Sequence, residues 1–253
     1  MALAKGIQRH PIFKLGKKPP RRDRRNLPLK SIIRARVAVP DEYDFDAAHS
    51  GVPTPIFAND RLGDCVIAGR AHQTLRFELV EQEKVLRISD NDVVREYLLE
   101  TGGVDTGLIV LDSLNRWRKR GWMAAGDRYY IKAFAEIDRT APSQVKQAVF
   151  TELGVGLGIA LPLSAQNEFE MGKPWATTTG FGSVRGSWGG HYVYVTGYTT
   201  LGPSCVTWGR KQRMSWGFFR KYCDEAYAVI DAVDTAKKRR FLDVQKLKRY
   251  IER

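Results

Sequence analysis

The sequence predicts an α+β fold in two halves, and three observations carry that prediction. Segments with helical spacing of apolar residues concentrate between residues 65 and 153. From Gly154 onward the apolar residues come in short runs bounded by glycine, proline and polar turns, the signature of strands. Helices followed by strands, rather than the two in alternation, describe a helical half beside an antiparallel sheet half. At 253 residues, 43% apolar and 27% charged, the chain is long enough for a substantial core and too apolar to be disordered.

The charge is unevenly spread. Of the formal +13, residues 1–36 carry +11 and residues 237–253 carry +6, which leaves the body near −4. A body of that sign disfavours base readout as the main role. Lys17-Lys18-Pro19-Pro20-Arg21-Arg22-Asp23-Arg24-Arg25 resists helix and sheet alike, so residues 1–38 read as a basic extended arm. Such an arm is expected to leave the body, add little to its stability, and reach an acidic protein surface or a nucleic acid.

From Val39 the composition changes to a proline-punctuated stretch through Ile56. An apolar-periodic run from Val66 to about Val80 follows, with Asp64 as an N-cap and Cys65 in the first turn. Residues 90–100 form a second helix with Val93, Val94, Tyr97 and Leu98 on one face, ended by Gly102-Gly103. A third spans about 108–120 and stops at Gly121, and a fourth runs from Pro142 or Ser143 to Leu153. Strands are expected at 155–161, 192–198, 204–208 and 227–230, the middle two paired through the Thr199–Pro203 turn. The body thus spans 39–236. Residues 237–253 make a basic amphipathic helix with Phe241, Val244, Leu247 and Ile251 on one side, docking on the body or on another chain.

Several chemistries are disfavoured. No apolar run approaches the ~18 residues of a membrane span, and no secretory signal is expected, so the location reads as cytoplasmic or virion-associated. Three cysteines form no closed disulfide set. The histidines His10, His49, His72 and His191 are scattered, without zinc-ligand spacing, and no metal or other cofactor is expected. Gly154-x-Gly156-x-Gly158 lies inside an apolar strand, so it is no phosphate loop. Cys205, Cys223 and the tryptophans Trp175, Trp188, Trp208 and Trp216 read chiefly as core, with Trp188 near a cleft at His191.

Two residues stand out. A cysteine at a helix N-terminus is placed to become a thiolate, the reactive form. His191, in Gly190-His191-Tyr192-Val193-Tyr194-Val195, opens a strand in the opposite half. Together they are the parts of a nucleophile–base pair.

The order of these pieces resembles the papain-like cysteine peptidases. Val39-Pro40 through Asp44, then Gly51-Val52-Pro53-Thr54-Pro55-Ile56 and Gly63-Asp64-Cys65, is similar to the opening of that family's mature domain and its central helix. Gly103-Val104-Asp105-Thr106-Gly107-Leu108 is similar to its glycine-rich segment, Gly190 to Tyr198 to its histidine strand, and Val206-Thr207-Trp208-Gly209 to its Asn-Ser-Trp-Gly. The resemblance covers about residues 39 to 230. It implies a papain-like two-half fold, a peptide or protein substrate, Cys65 as nucleophile, His191 as base, Asn59 as oxyanion donor and Trp208 as a shield of the site.

The departures are specific. Asn59 stands for the family's glutamine, one methylene shorter. Val206 stands where the asparagine that orients the histidine belongs, and Thr207 would serve only with a shift of one position. Leu62 and Val104 replace paired cysteines. The alternative is therefore a papain-like fold with weakened chemistry, a structural protein whose basic ends anchor it in a large assembly such as a phage capsid or tail. A nucleic-acid-binding protein with a globular middle is the third reading.

Overall fold

The computed structural model describes residues 13–34, 38–232 and 235–252. His10 and the first twelve residues of the arm lie outside them. In chain order, β1 (Leu27–Pro28), α1 (Leu29–Ile32), β2 (Tyr43–Asp44) and α2 (Phe45–Ala48) lead to the long α3 (Cys65–Gln82). Then come α4 (Asp90–Thr101), α5 (Val110–Arg120), β3 (Trp122–Ala124), β4 (Asp127–Tyr129), β5 (Ala133–Glu136) and α6 (Pro142–Phe150). The second half holds β6 (Gly154–Leu161), α7 (Leu163–Glu170), β7 (Gly189–Tyr198), β8 (Pro203–Thr207) and β9 (Arg210–Arg213). It closes with α8 (Trp216–Tyr222), β10 (Cys223–Ile230), α9 (Ala236–Phe241) and α10 (Val244–Ile251).

The main sheet runs β1-β5-β10-β6-β7-β8-β9, with β2 on β7; among the described residues only β1 and β5 of its strands pair in parallel. Because side chains alternate along a strand, the sheet divides two cores. On one face Val193, Val195, Ala226 and Ala228 pack with α6 and α8 residues such as Val145 and Phe218. On the other, Tyr192, Tyr227 and Val229 pack with α3 to α5 through Ile67, Tyr97 and Trp117. This is the expected α+β arrangement.

The helices follow their local chemistry. Ser89 caps α4 in a reciprocal box with Asp92, and Gly102 ends it in the left-handed region. Pro142 opens α6. The helix α3 is tied to its neighbours by buried Arg70, which donates to Glu96, Glu100 and Ser113. It also approaches β7 closely: a Cβ on Gly69 would fall 2.6 Å from the Tyr192 ring.

Three expectations are corrected. Asp64 precedes α3 but its side chain makes no capping bond, being turned into the interior. The arm does not leave the body at residue 38: Leu27, Leu29, Ile32 and Ile33 are buried in the sheet core, and β1 extends the sheet. Their apolar side chains have more to gain there than in water. At the other end α10 buries only Leu247 of its stripe, while Val244 and Ile251 stay exposed. It docks on the body by clasping α1, with Asp243 N–H bonded to the Ile32 carbonyl and Tyr250 to that of Arg25.

Candidate active site

Cys65 begins α3 and His191 lies near the start of β7, on elements that touch. The N–H of Tyr192, the residue after His191, faces the Cys65 sulfur. Both side chains are buried, and burial decides their protonation. The thiol is pushed up to about 12 and the imidazole down to about 3, so in this state both are neutral. No hydrogen bond joins them, because His191 Nδ1 has no partner among the described residues. The thiolate expected at the helix N-terminus is thus corrected for this closed state: desolvation raises the thiol, and the neighbouring Asp64 acts in the same direction. Asp64 itself is pushed up to about 8 by burial.

His191 Nε2 lies 2.6 Å from Thr207 Oγ1. The register explains why Thr207 and not Val206 meets the ring. Val195 pairs with Cys205, so by alternation Val193 and His191 share a face with Thr207 while Val206 points away. The β8–β9 connection sets where that strand ends. Thr207 pairs with Arg210, leaving Trp208 and Gly209 as a two-residue turn with φ of 44° and 77°. Two positive φ values are the mark of a tight type I′ hairpin turn. The same turn lays the Trp208 indole on the His191 ring, centroids 4.0 Å apart and planes within 10°. Trp188 packs against Trp208, ring centroids 5.4 Å apart. Cys205 and Cys223 are core residues, as expected.

Asn59 is buried and donates to the Leu62 carbonyl at 3.0 Å. Its second contact is unexpected. Asn59 Nδ2 and Trp208 Nε1 converge on one carbonyl oxygen, that of Lys14, at 3.5 and 3.3 Å. The arm lies along the site. Lys14 N–H donates to the Asn59 carbonyl, the Gly16 N–H faces the Cys65 sulfur, and Lys17 N–H donates to the Gly190 carbonyl. Gly16 C=O and Lys18 N–H then bond the two sides of Leu108 as a parallel bridge. Glycines make the approach possible: a Cβ on Gly16 would sit 1.6 Å from the Gly63 carbonyl oxygen, and one on Gly190 would sit 2.1 Å from that of Lys17.

The outgoing anchor is therefore corrected, because residues 13–18 cover Cys65 and residues 27–33 enter the core. The sequence reading missed them. Phe13, Leu15 and Gly16, ahead of the lysines, were the available sign. Lys17 is the other residue it missed; its ammonium is buried between Asp224 and Glu225. Among the described residues no group of acidic, histidine or cysteine side chains could hold a metal, and no helix is long and apolar enough to cross a membrane.

No protein-family model matches the chain, and no curated protein matches it in sequence. Solved structures do match in fold. The chain is similar to xylellain, a cysteine protease from Xylella fastidiosa, at TM-score 0.68 and 14% identity, over 90% of this chain and 100% of that one. It is similar to the Amb a 11 cysteine protease, a ragweed pollen allergen, in its proform (TM-score 0.56, 13% identity, 78% and 69% covered). A cysteine protease of Carica candamarcensis in complex with E-64 gives TM-score 0.56 at 12% identity, over 76% and 99%. The fold is that of the papain-like cysteine proteases in divergent form.

Proposed function

We propose that this chain is a cysteine peptidase, with Cys65 as nucleophile and His191 as base, held closed by residues 14–18 of its own arm. The observation that carries this reading is the arm itself, an extended peptide whose backbone is hydrogen-bonded along the cleft beside Cys65. A cleft that binds its own backbone so completely is built to bind a peptide.

The chemistry follows from the residues. With Nε2–H donating to Thr207, Nδ1 is the basic nitrogen, and Trp208 shields the ring from water. Cys65 Sγ attacks a substrate carbonyl carbon as its proton passes to Nδ1. The oxyanion is met by Asn59 Nδ2 and the Cys65 N–H. Protonated His191 then gives its proton to the departing amine, and water activated by His191 hydrolyses the thioester.

The test compares the full-length chain with Gly16→Val, whose side chain has no room against Gly63. Expected is slow alkylation of Cys65 by iodoacetamide and no hydrolysis of a mixed peptide library in the parent. The variant should gain both, and Cys65→Ser or His191→Ala in that background should lower hydrolysis by at least about a thousandfold. A variant that alkylates rapidly at Cys65 yet cuts no peptide would overturn the reading.

A further inference from the structure

Lys17 is a lysine with almost no exposure, and its three ammonium donors are all engaged. Nζ lies 3.0 Å from Asp224 Oδ2, 3.2 Å from Glu225 Oε1 and 3.0 Å from its neighbour's carbonyl, that of Lys18. Two consecutive acids on a strand should point to opposite faces of a sheet. Here they do not, because the β10–β6 register jumps: Cys223 pairs with Ile159 and Glu225 with Gly158, so Asp224 is the extra residue of a bulge. The bulge brings both carboxylates to one cation. Gly158 supplies the floor, since a Cβ there would fall 2.8 Å from Lys17 Cδ and 2.5 Å from Glu225 Cγ. Tyr227 holds the far oxygen of Glu225 through its hydroxyl at 3.3 Å.

This pocket is more than a peg-hole for the arm. Two carboxylates face one ammonium, and Asp224 Oδ1 is buried without a partner among the described residues. That spare acceptor suits a head group with more donors than lysine has, such as a guanidinium. Once the arm leaves the cleft, two acids sunk in its wall stand uncompensated, a costly state that any arriving cation relieves. Lys17 adjoins Gly16, the residue over the sulfur, so the pocket lies one step along the bound chain from the site of attack.

We propose that the pocket closed by Asp224, Glu225 and Gly158 selects peptide substrates by a lysine or arginine side chain, the arm's Lys17 being its resident in the closed chain. The inference rests on the peptidase reading for the word substrate, and on the pocket alone for the cation.

The full-length Gly16→Val chain is given matched tetrapeptide amides carrying lysine, arginine, norleucine or glutamate at each position in turn. Hydrolysis and protection of Cys65 from iodoacetamide are both read. Expected is one position at which lysine and arginine exceed norleucine by about 10- to 100-fold in kcat/KM, with glutamate poorest. Asp224→Asn with Glu225→Gln should collapse that ratio. Hydrolysis without a basic preference overturns the pocket and leaves the peptidase. Absent hydrolysis with cation-selective protection overturns the peptidase and leaves the pocket; absence of both overturns both. Should Gly16→Val not fold, full-length Lys17→Ala decides. There n-propylammonium, the part of the side chain removed, should raise the melting temperature, and n-propanol should not. No difference between the two overturns the pocket.

Discussion

Thr207 gives His191 a single hydroxyl where an amide would offer a fixed acceptor, so its contribution to the site can be measured directly. In the Gly16→Val chain, Thr207→Val leaves His191 Nε2 buried without a partner. The expected outcome is a fall in kcat of about 10- to 100-fold, read by steady-state hydrolysis of one peptide. Thr207→Asn, which restores an acceptor, should lose less, and equal losses would assign Thr207 a packing role only. Glu225 carries the pH dependence. Burial pushes its carboxyl up to about 7, while the charge and hydrogen bond of Lys17 and the hydroxyl of Tyr227 pull it down and Asp224 raises it. With Lys17 undocked and the wall unchanged, Glu225 keeps its burial but loses that charge and rises further, so docking lowers its carboxyl and weakens as pH falls through about 7. Hydrogen-exchange protection factors at the Lys17 and Lys18 amides should fall between roughly pH 8 and roughly pH 5. Protection that rises or stays flat would detach the latch from Glu225.

The helix α3 packs on β7, and Gly69 lies directly under the Tyr192 ring. Alanine is the better helix former, yet its methyl would enter the Tyr192 ring space. Gly69→Ala is expected to cost about 1–3 kcal/mol in urea denaturation, against a gain near 1 kcal/mol on an open helix. A stabilised variant would mean that the helix slides freely on the sheet. The sequence made α3 legible through its apolar spacing, and α4 to α6 through glycine stops, an opening proline and spacing, because those signals are local. It hid β9, whose Arg210-Lys211-Gln212-Arg213 has no apolar alternation and pairs only because the Trp208–Gly209 turn folds it back. Cys65, His191, Trp208 and Asn59 became candidates through their order along the chain. The Thr207 assignment needed the register, and Asp224 with Glu225 needed a bulge that no local pattern announces.

At the scale of the molecule, residues 13–33 occupy two different places that composition blurred into one basic tail. Leu27, Leu29, Ile32 and Ile33 are core residues, and burying four such side chains contributes roughly 6–12 kcal/mol, comparable to the net stability of a domain. Deleting residues 1–36 is thus expected to unfold the protein or lower its melting temperature by tens of degrees, and deleting 1–18 to change it far less. Calorimetry of the two truncations checks this, and equal melting temperatures would return residues 27–33 to the tail. Between the two places lies a short connector, Pro19 to Asn26, with Arg22, Arg24 and Arg25 exposed. It tethers residues 13–18 to a fixed point of the core, so the cleft meets its own occupant at an effective concentration on the order of millimolar, whatever the protein's concentration in solution. Dilution cannot open such a chain. One cut in the connector changes the regime: the occupant becomes an ordinary ligand with a dissociation constant, and it is lost to the surrounding volume once the protein is dilute.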